Sequence, residues 1–122
     1  MTRKKIIDYR YYEQRQGKVN ISRKVMIYDN GDMLKADTEK FIGLTKSHLN
    51  KKQLENLLNF LEENEFFEMN DYYGHGILTS DGIQQSITYD HNDKYKNVEV
   101  DYGAIAFLPR GFGEILKLLQ KL

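Results

Sequence analysis

The stretch from Asn50 to Phe67, NKKQLENLLNFLEENEFF, constrains the fold most, because it carries a helix signal complete from start to stop. Asn50 can accept a hydrogen bond from the third helical amide while Gln53 reaches back to the Asn50 amide, a capping-box arrangement. Leu54, Leu57, Leu58 and Leu61 follow at i, i+3, i+4 and i+7, which makes one apolar stripe. Lys51, Lys52, Glu55, Asn56, Asn59, Glu62 and Glu63 fall on the other side. Asn64 is the expected left-handed residue that ends the helix, before Phe66 and Phe67 return to the core. So short a helix is marginal alone in water, so the rest of the chain must supply a surface for those leucines.

Strands supply it. Residues 6 to 15, IIDYRYYEQR, read as a first strand with imperfect alternation: Ile7, Tyr9 and Tyr11 on one side, Ile6, Asp8, Arg10 and Tyr12 on the other. From Lys18 to Tyr28 the pattern is cleaner, with Val19, Ile21, Arg23, Val25 and Ile27 sharing one face. Asn30-Gly31 tolerates the positive φ angles of a type I′ hairpin, and a return strand is expected from Met33 to Thr38, resuming at Phe41 to Thr45. Glu68 to Gly82 contains three glycines and two aspartates and predicts the longest irregular segment. Gln84 to Tyr89 and Tyr95 to Tyr102 form a second hairpin across Asp90 to Lys94. Pro109 then opens a last helix whose apolar face is Phe112, Ile115, Leu116, Leu118, Leu119 and Leu122.

The expected architecture is a single α+β domain over residues 1 to 122, an antiparallel sheet of four to five strands in β-β-(β)-α-β-β-α order with both amphipathic helices packed on one face. With no cysteine there is no disulfide, zinc-thiolate site or thiol nucleophile, which points to an intracellular origin. No long apolar run or cleavable leader is visible, so the expected location is cytoplasmic, with no membrane partner. The 18 basic and 18 acidic side chains cancel, yet residues 1 to 28 hold eight basic and two acidic ones and residues 62 to 101 two basic and ten acidic ones. Such a division can steer partners; its plainer reading is two neighbouring strands whose charges face each other.

Chemistry-bearing residues are few. His75 lies between two glycines near Asp71, Tyr73 and Asp81, so a loop general base with an orienting acid is conceivable, but no serine elbow, second metal-spaced histidine or paired carboxylate accompanies it. A histidine in a surface turn is the better account. The Asp90-His91-Asn92-Asp93 turn clusters oxygen atoms without the ligand spacing and closing glutamate of a calcium loop. Gly111-Phe112-Gly113 lacks the ending of a phosphate loop, and its glycines fit close packing instead. Arg10, Arg15, Arg23 and Lys24 interleave with Tyr9, Tyr11 and Tyr12, a mixture that can contact phosphates and stack bases.

Leu54, Leu57, Leu58 and Leu61, then Phe66-Phe67, a loop holding Asp81, strands at Ile87 to Tyr89 and Lys96 to Val100, and Pro109 ahead of a leucine-rich helix together resemble emfourin-type domains over residues 19 to 122. The layout is equally similar to a small bacterial domain family of unknown function in which a hairpin like Asn30-Gly31 precedes the helix. Emfourins inhibit thermolysin-type zinc metalloproteases, so the resemblance implies a protein-binding inhibitor that acts through an exposed loop, with no cofactor of its own. The Ile/Tyr-rich basic start departs from the glycine-rich opening of that family.

The expected function is therefore a non-enzymatic protein-binding module that uses Asp71, Tyr72, Tyr73, His75 and Asp81 and needs no cofactor or metal. The alternative is a small nucleic-acid-binding domain, which requires its basic residues to share one face. A small hydrolase ranks third and requires His75 to approach Asp71 or Asp81 in a cleft.

Overall fold

A computed structural model describes residues 3–15, 18–37, 42–74, 82–101 and 109–122. In chain order the elements are β1 (Lys5–Arg15), β2 (Lys18–Tyr28), β3 (Asp32–Asp37), β4 (Ile42–His48), α1 (Lys51–Glu63), β5 (Tyr72–Tyr73), β6 (Gly82–His91), β7 (Lys94–Asp101) and α2 (Arg110–Lys121). Among the described residues, seven strands join one sheet in the order β4-β3-β2-β1-β6-β7-β5. Every pairing is antiparallel except that of β5 with β7.

The α+β class stands, but the sheet is larger than the four to five strands expected. Residues 42 to 48 do not resume β3; they fold back and pair against it, Met33 opposite Ser47 and Lys35 opposite Thr45. An outermost strand has no need of a clean apolar face, so IGLTKSH shows little alternation. The other added strand, β5, lies within the segment read as irregular, and two residues are too few to display a period.

Both hairpin turns differ from the reading in an instructive way. At Asn30-Gly31 only Gly31 has positive φ, 92°, and its amide donates to Tyr28 O at 2.9 Å, so a turn closed by a glycine bulge replaces type I′. The Asn30 side chain accepts from the Asp32 amide at 3.0 Å and holds Asn30 out of the left-handed region. The second hairpin shortens to two residues, because His91 pairs with Lys94. Asn92 and Asp93 both take left-handed φ, 52° and 60°, the combination type I′ demands.

The imperfect alternation of β1 has a similar local cause. Its register slips between Lys5 and Ile7 against β2, and this bulge lets the adjacent Ile6 and Ile7 both enter the core, 1% and 0% exposed. From Ile7 to Glu13 the alternation is regular, and a second register shift against β2 follows between Glu13 and Gln14. Ile7, Tyr9 and Tyr11 lie opposite Ile27, Val25 and Arg23 on one side and Tyr89, Ile87 and Gln85 on the other, so these residues share a face. Buried Leu57 and Leu61 of α1 and Phe112, Ile115 and Leu119 of α2 belong to the same core cluster as Ile7, Ile27, Ile87 and Val98. This is the covered face. Asp8, Arg10, Tyr12, Lys24, Ser86 and Glu99 alternate onto the other, open face.

The capping box forms as read: Gln53 N donates to Asn50 Oδ1 at 2.8 Å, and Asn50 N to Gln53 Oε1 at 2.9 Å. The left-handed residue that ends α1 is Glu65 (φ 58°), not Asn64 (φ −95°). Asn64 uses its side-chain amide to cap Phe60 O at 2.9 Å, which stabilises the helical conformation it keeps. Its carbonyl also receives the first turn of α2: a Cβ on Gly111 would lie 2.3 Å from Asn64 O, so glycine lets the two helices approach.

Candidate functional site

The expected binding residues divide at the β5 edge. Tyr72 pairs with Glu99 and Tyr73 with Val100, so Tyr72 takes the open face and Tyr73 the covered one. The Tyr72 hydroxyl donates to Asp101 Oδ2, while Tyr73 packs against the core and its hydroxyl accepts from the Asn70 amide at 3.0 Å. Asp71 is exposed; its carbonyl accepts from Glu99 N at 2.9 Å and its carboxylate pairs with Lys96 Nζ at 2.8 Å. His75 and Asp81 lie outside the described residues. So do the contacts that the hydrolase reading requires. Among the described residues no group of three His, Cys, Asp or Glu side chains is placed to hold a metal ion.

The basic residues do not share one face. Arg10 and Lys24 stand opposite each other on the open face, whereas Arg23, opposite Tyr11, lies on the covered one; the Arg15 side chain is outside the description. Successive residues of a regular strand point to opposite faces, so Arg23 and Lys24 could not both serve one flat surface. Arg10 is also occupied: its Nε sits 3.1 Å from Asp8 Oδ1, and Lys5 Nζ lies 2.8 Å from Asp8 Oδ2. Burial alone would raise the Asp8 carboxyl, but hydrogen bonds and charge from Arg10 and Lys5 outweigh it and hold the group below the usual carboxylate range. Of the expected pairing between basic and acidic segments, Lys4 to Asp90 at 3.3 Å is realised, while Arg3 and Lys5 find nearer acids in Asp32 and Asp8.

At the opposite edge of the sheet, β4 presents exposed side chains from Leu44 to His48, and Leu44 is 54% accessible. Leu49 N donates to Gly31 O at 2.8 Å. Antiparallel alternation from that bond directs the N–H and C=O of Ser47 and Thr45 inward to β3 and those of His48 and Lys46 outward.

Beside this edge, on the covered face, the last turn of α2 leaves a groove of about 400 Å³. Its floor is one row across four strands: Tyr9 opposite Val25, Val25 opposite Lys35, Lys35 opposite Thr45. Leu119 and Gln120 of α2 form a wall. The Tyr9 hydroxyl donates to Gln85 Oε1 at 2.9 Å and accepts from Gln120 Nε2 at 3.3 Å, and burial pushes this phenol up from its ordinary value. Arg23 pairs with Asp37 at 3.3 Å and stacks 5.1 Å over the Tyr11 ring, so the acid of the groove is already engaged. Lys35 is half-buried, and among the described residues its side chain has no ion-pair or hydrogen-bond partner.

Lys35, Thr45, Leu119 and Gln120 were not singled out by sequence reasoning. The usable signal was Arg23, a cation set in the apolar row of β2, because a charge on a core-facing position marks where the helices stop covering the sheet. No protein-family model matches the chain, and no match is found among curated proteins. No helix among the described residues is long and apolar enough to cross a membrane.

Proposed function

We propose that the protein is a non-enzymatic binding module that takes an extended segment of another protein as an eighth strand against β4. The observation that carries this reading is the outer edge of β4, where the backbone groups of Lys46 and His48 point away from β3 and the flanking side chains are exposed. Main-chain hydrogen bonds to such an edge supply affinity, and neighbouring side chains select sequence. Residues 42 to 48 carry Lys46 and His48 and no acidic residue, so pairing β4 with a second copy of itself adds only like charge. A strand of different sequence is the better occupant.

The nucleic-acid alternative has less support, since Arg23 is turned away from Arg10 and Lys24 and Arg10 serves Asp8. The resemblance to emfourins adds a zinc metalloprotease to the partners worth trying.

Proline at an outward-facing edge position removes a donor without breaking the ladder inside. Lys46→Pro should therefore fold with a nearly unchanged Tm and lose partners captured by the native protein, while those partners protect the Lys46 and His48 amides from exchange. Retention of the same partners by Lys46→Pro, or protection elsewhere, overturns strand addition.

A further inference from the structure

We propose that the segment added to β4 carries a carboxylate side chain opposite Thr45, and that Lys35 receives it in the groove. This rests on the strand-addition reading and specifies its partner as an acidic extended peptide.

Geometry leads to it. The cross-strand row Tyr9, Val25, Lys35 and Thr45 runs to the sheet edge, and an added strand continues it by one position on the covered face. Because His48 and Lys46 turn their backbone groups outward, the residue facing Thr45 on an antiparallel added strand belongs to a pair without mutual hydrogen bonds, in which side chains approach most closely. Strands about 4.8 Å apart place that residue roughly 10 Å from β3, a gap that an extended lysine and a glutamate together span.

Charge completes the argument. Lys35 lies between Val25 and Thr45 with Leu119 and Gln120 above the floor, and it has no anion of its own among the described residues. Asp37 is paired with Arg23, and β4 supplies no acid. A half-buried cation facing a position that none of the described residues fills favours a carboxylate there over an amide or a second cation, since shielding from water strengthens the attraction.

The test uses three acetylated and amidated heptapeptides of alternating threonine and valine, with glutamate, glutamine or lysine at the centre, titrated into the full chain and followed by backbone amide shifts. The expected result is perturbation of Lys46 and His48 with affinity falling about tenfold from glutamate to glutamine and further to lysine. Lys35→Glu should reverse the order, and Lys35→Met should level it while leaving the fold intact. Perturbed β4 amides with equal affinities overturn the carboxylate assignment and leave strand addition standing. No perturbation of β4 by any peptide overturns both.

Discussion

The Gly31 carbonyl accepts the Leu49 amide at 2.8 Å, and this bond fastens the end of β4, just before the cap of α1, to the turn between β2 and β3. Gly31 holds φ at 92°, and a Cβ there would stand 2.1 Å from Leu49 O. Gly31→Ala must therefore either abandon the left-handed conformation or push the β4 terminus away. Urea denaturation should show a loss of about 2–4 kcal/mol, large for a turn residue. Asn30→Gly, which changes no positive-φ position, should cost well under half of that.

The capping box gives a smaller and separable effect. Asn50→Ala removes the acceptor for Gln53 N and should cost about 1 kcal/mol, while Asn50→Asp, which keeps an acceptor, should cost a fraction of it. Thermal denaturation of the two variants side by side checks the ratio.

Asp32 gathers His48, Arg3 and Asn30, with His48 Nδ1 at 3.0 Å, Arg3 at 2.8 Å and Asn30 Nδ2 at 3.1 Å from its carboxylate. Hydrogen bonds from these three, His48 first, lower its pKa from 3.8 to about 2. A carboxyl depressed in the folded state adds stability that is complete above its unfolded pKa and is lost as pH falls through the folded one. The acid limb of the stability curve should therefore include a component between pH 4 and 2 that Asp32→Asn abolishes. A titration of the Asp32 carboxyl carbon by NMR should show its midpoint well below that of an unpaired aspartate.

Tyr72 and Tyr73 should behave differently although they are neighbours. Tyr73→Ala empties a position packed on the core and frees the Asn70 amide, so it should cost about 2 kcal/mol. Tyr72→Ala, at an exposed edge position, should stay within about 1 kcal/mol. Replacing both at once would confuse lost folding with lost binding, so the single variants are the proper test of this edge.

Local signals were legible where one residue type has one physical use. Asn50 with Gln53, the leucine stripe of α1, the period-two run of β2 from Arg23 to Ile27 and the apolar face of α2 appear in the structure where the sequence places them, whereas the register shift between Glu13 and Gln14 takes Val19 out of the β2 period. Register and partner choice were not. Ile6 and Ile7 look like a broken alternation until the bulge against β2 is seen, and the Asn-Gly pair looks like the tighter hairpin although Asn92-Asp93 adopts it. The groove was hidden for the same reason. Tyr9, Lys35, Thr45 and Gln120 line one groove only because β3 and β4 extend the sheet beside the last turn of α2, and no spacing along the chain records that.

The sheet order has a consequence for how the chain is made. β1 sits in the middle of the sheet, flanked by β2 from the adjoining hairpin and by β6 from far downstream; Tyr9 and Gln85, which share a hydrogen bond, are 76 residues apart. During synthesis the first four strands can assemble into a meander, but one flank of β1 stays unsatisfied until β6 leaves the ribosome. At about 5–20 residues per second this interval lasts several seconds, during which an Ile- and Tyr-rich strand edge lies open to other nascent chains. Lys5, Arg10 and Arg15 set charges within that Ile- and Tyr-rich stretch, the placement expected to keep an open edge from pairing with other chains until β6 arrives.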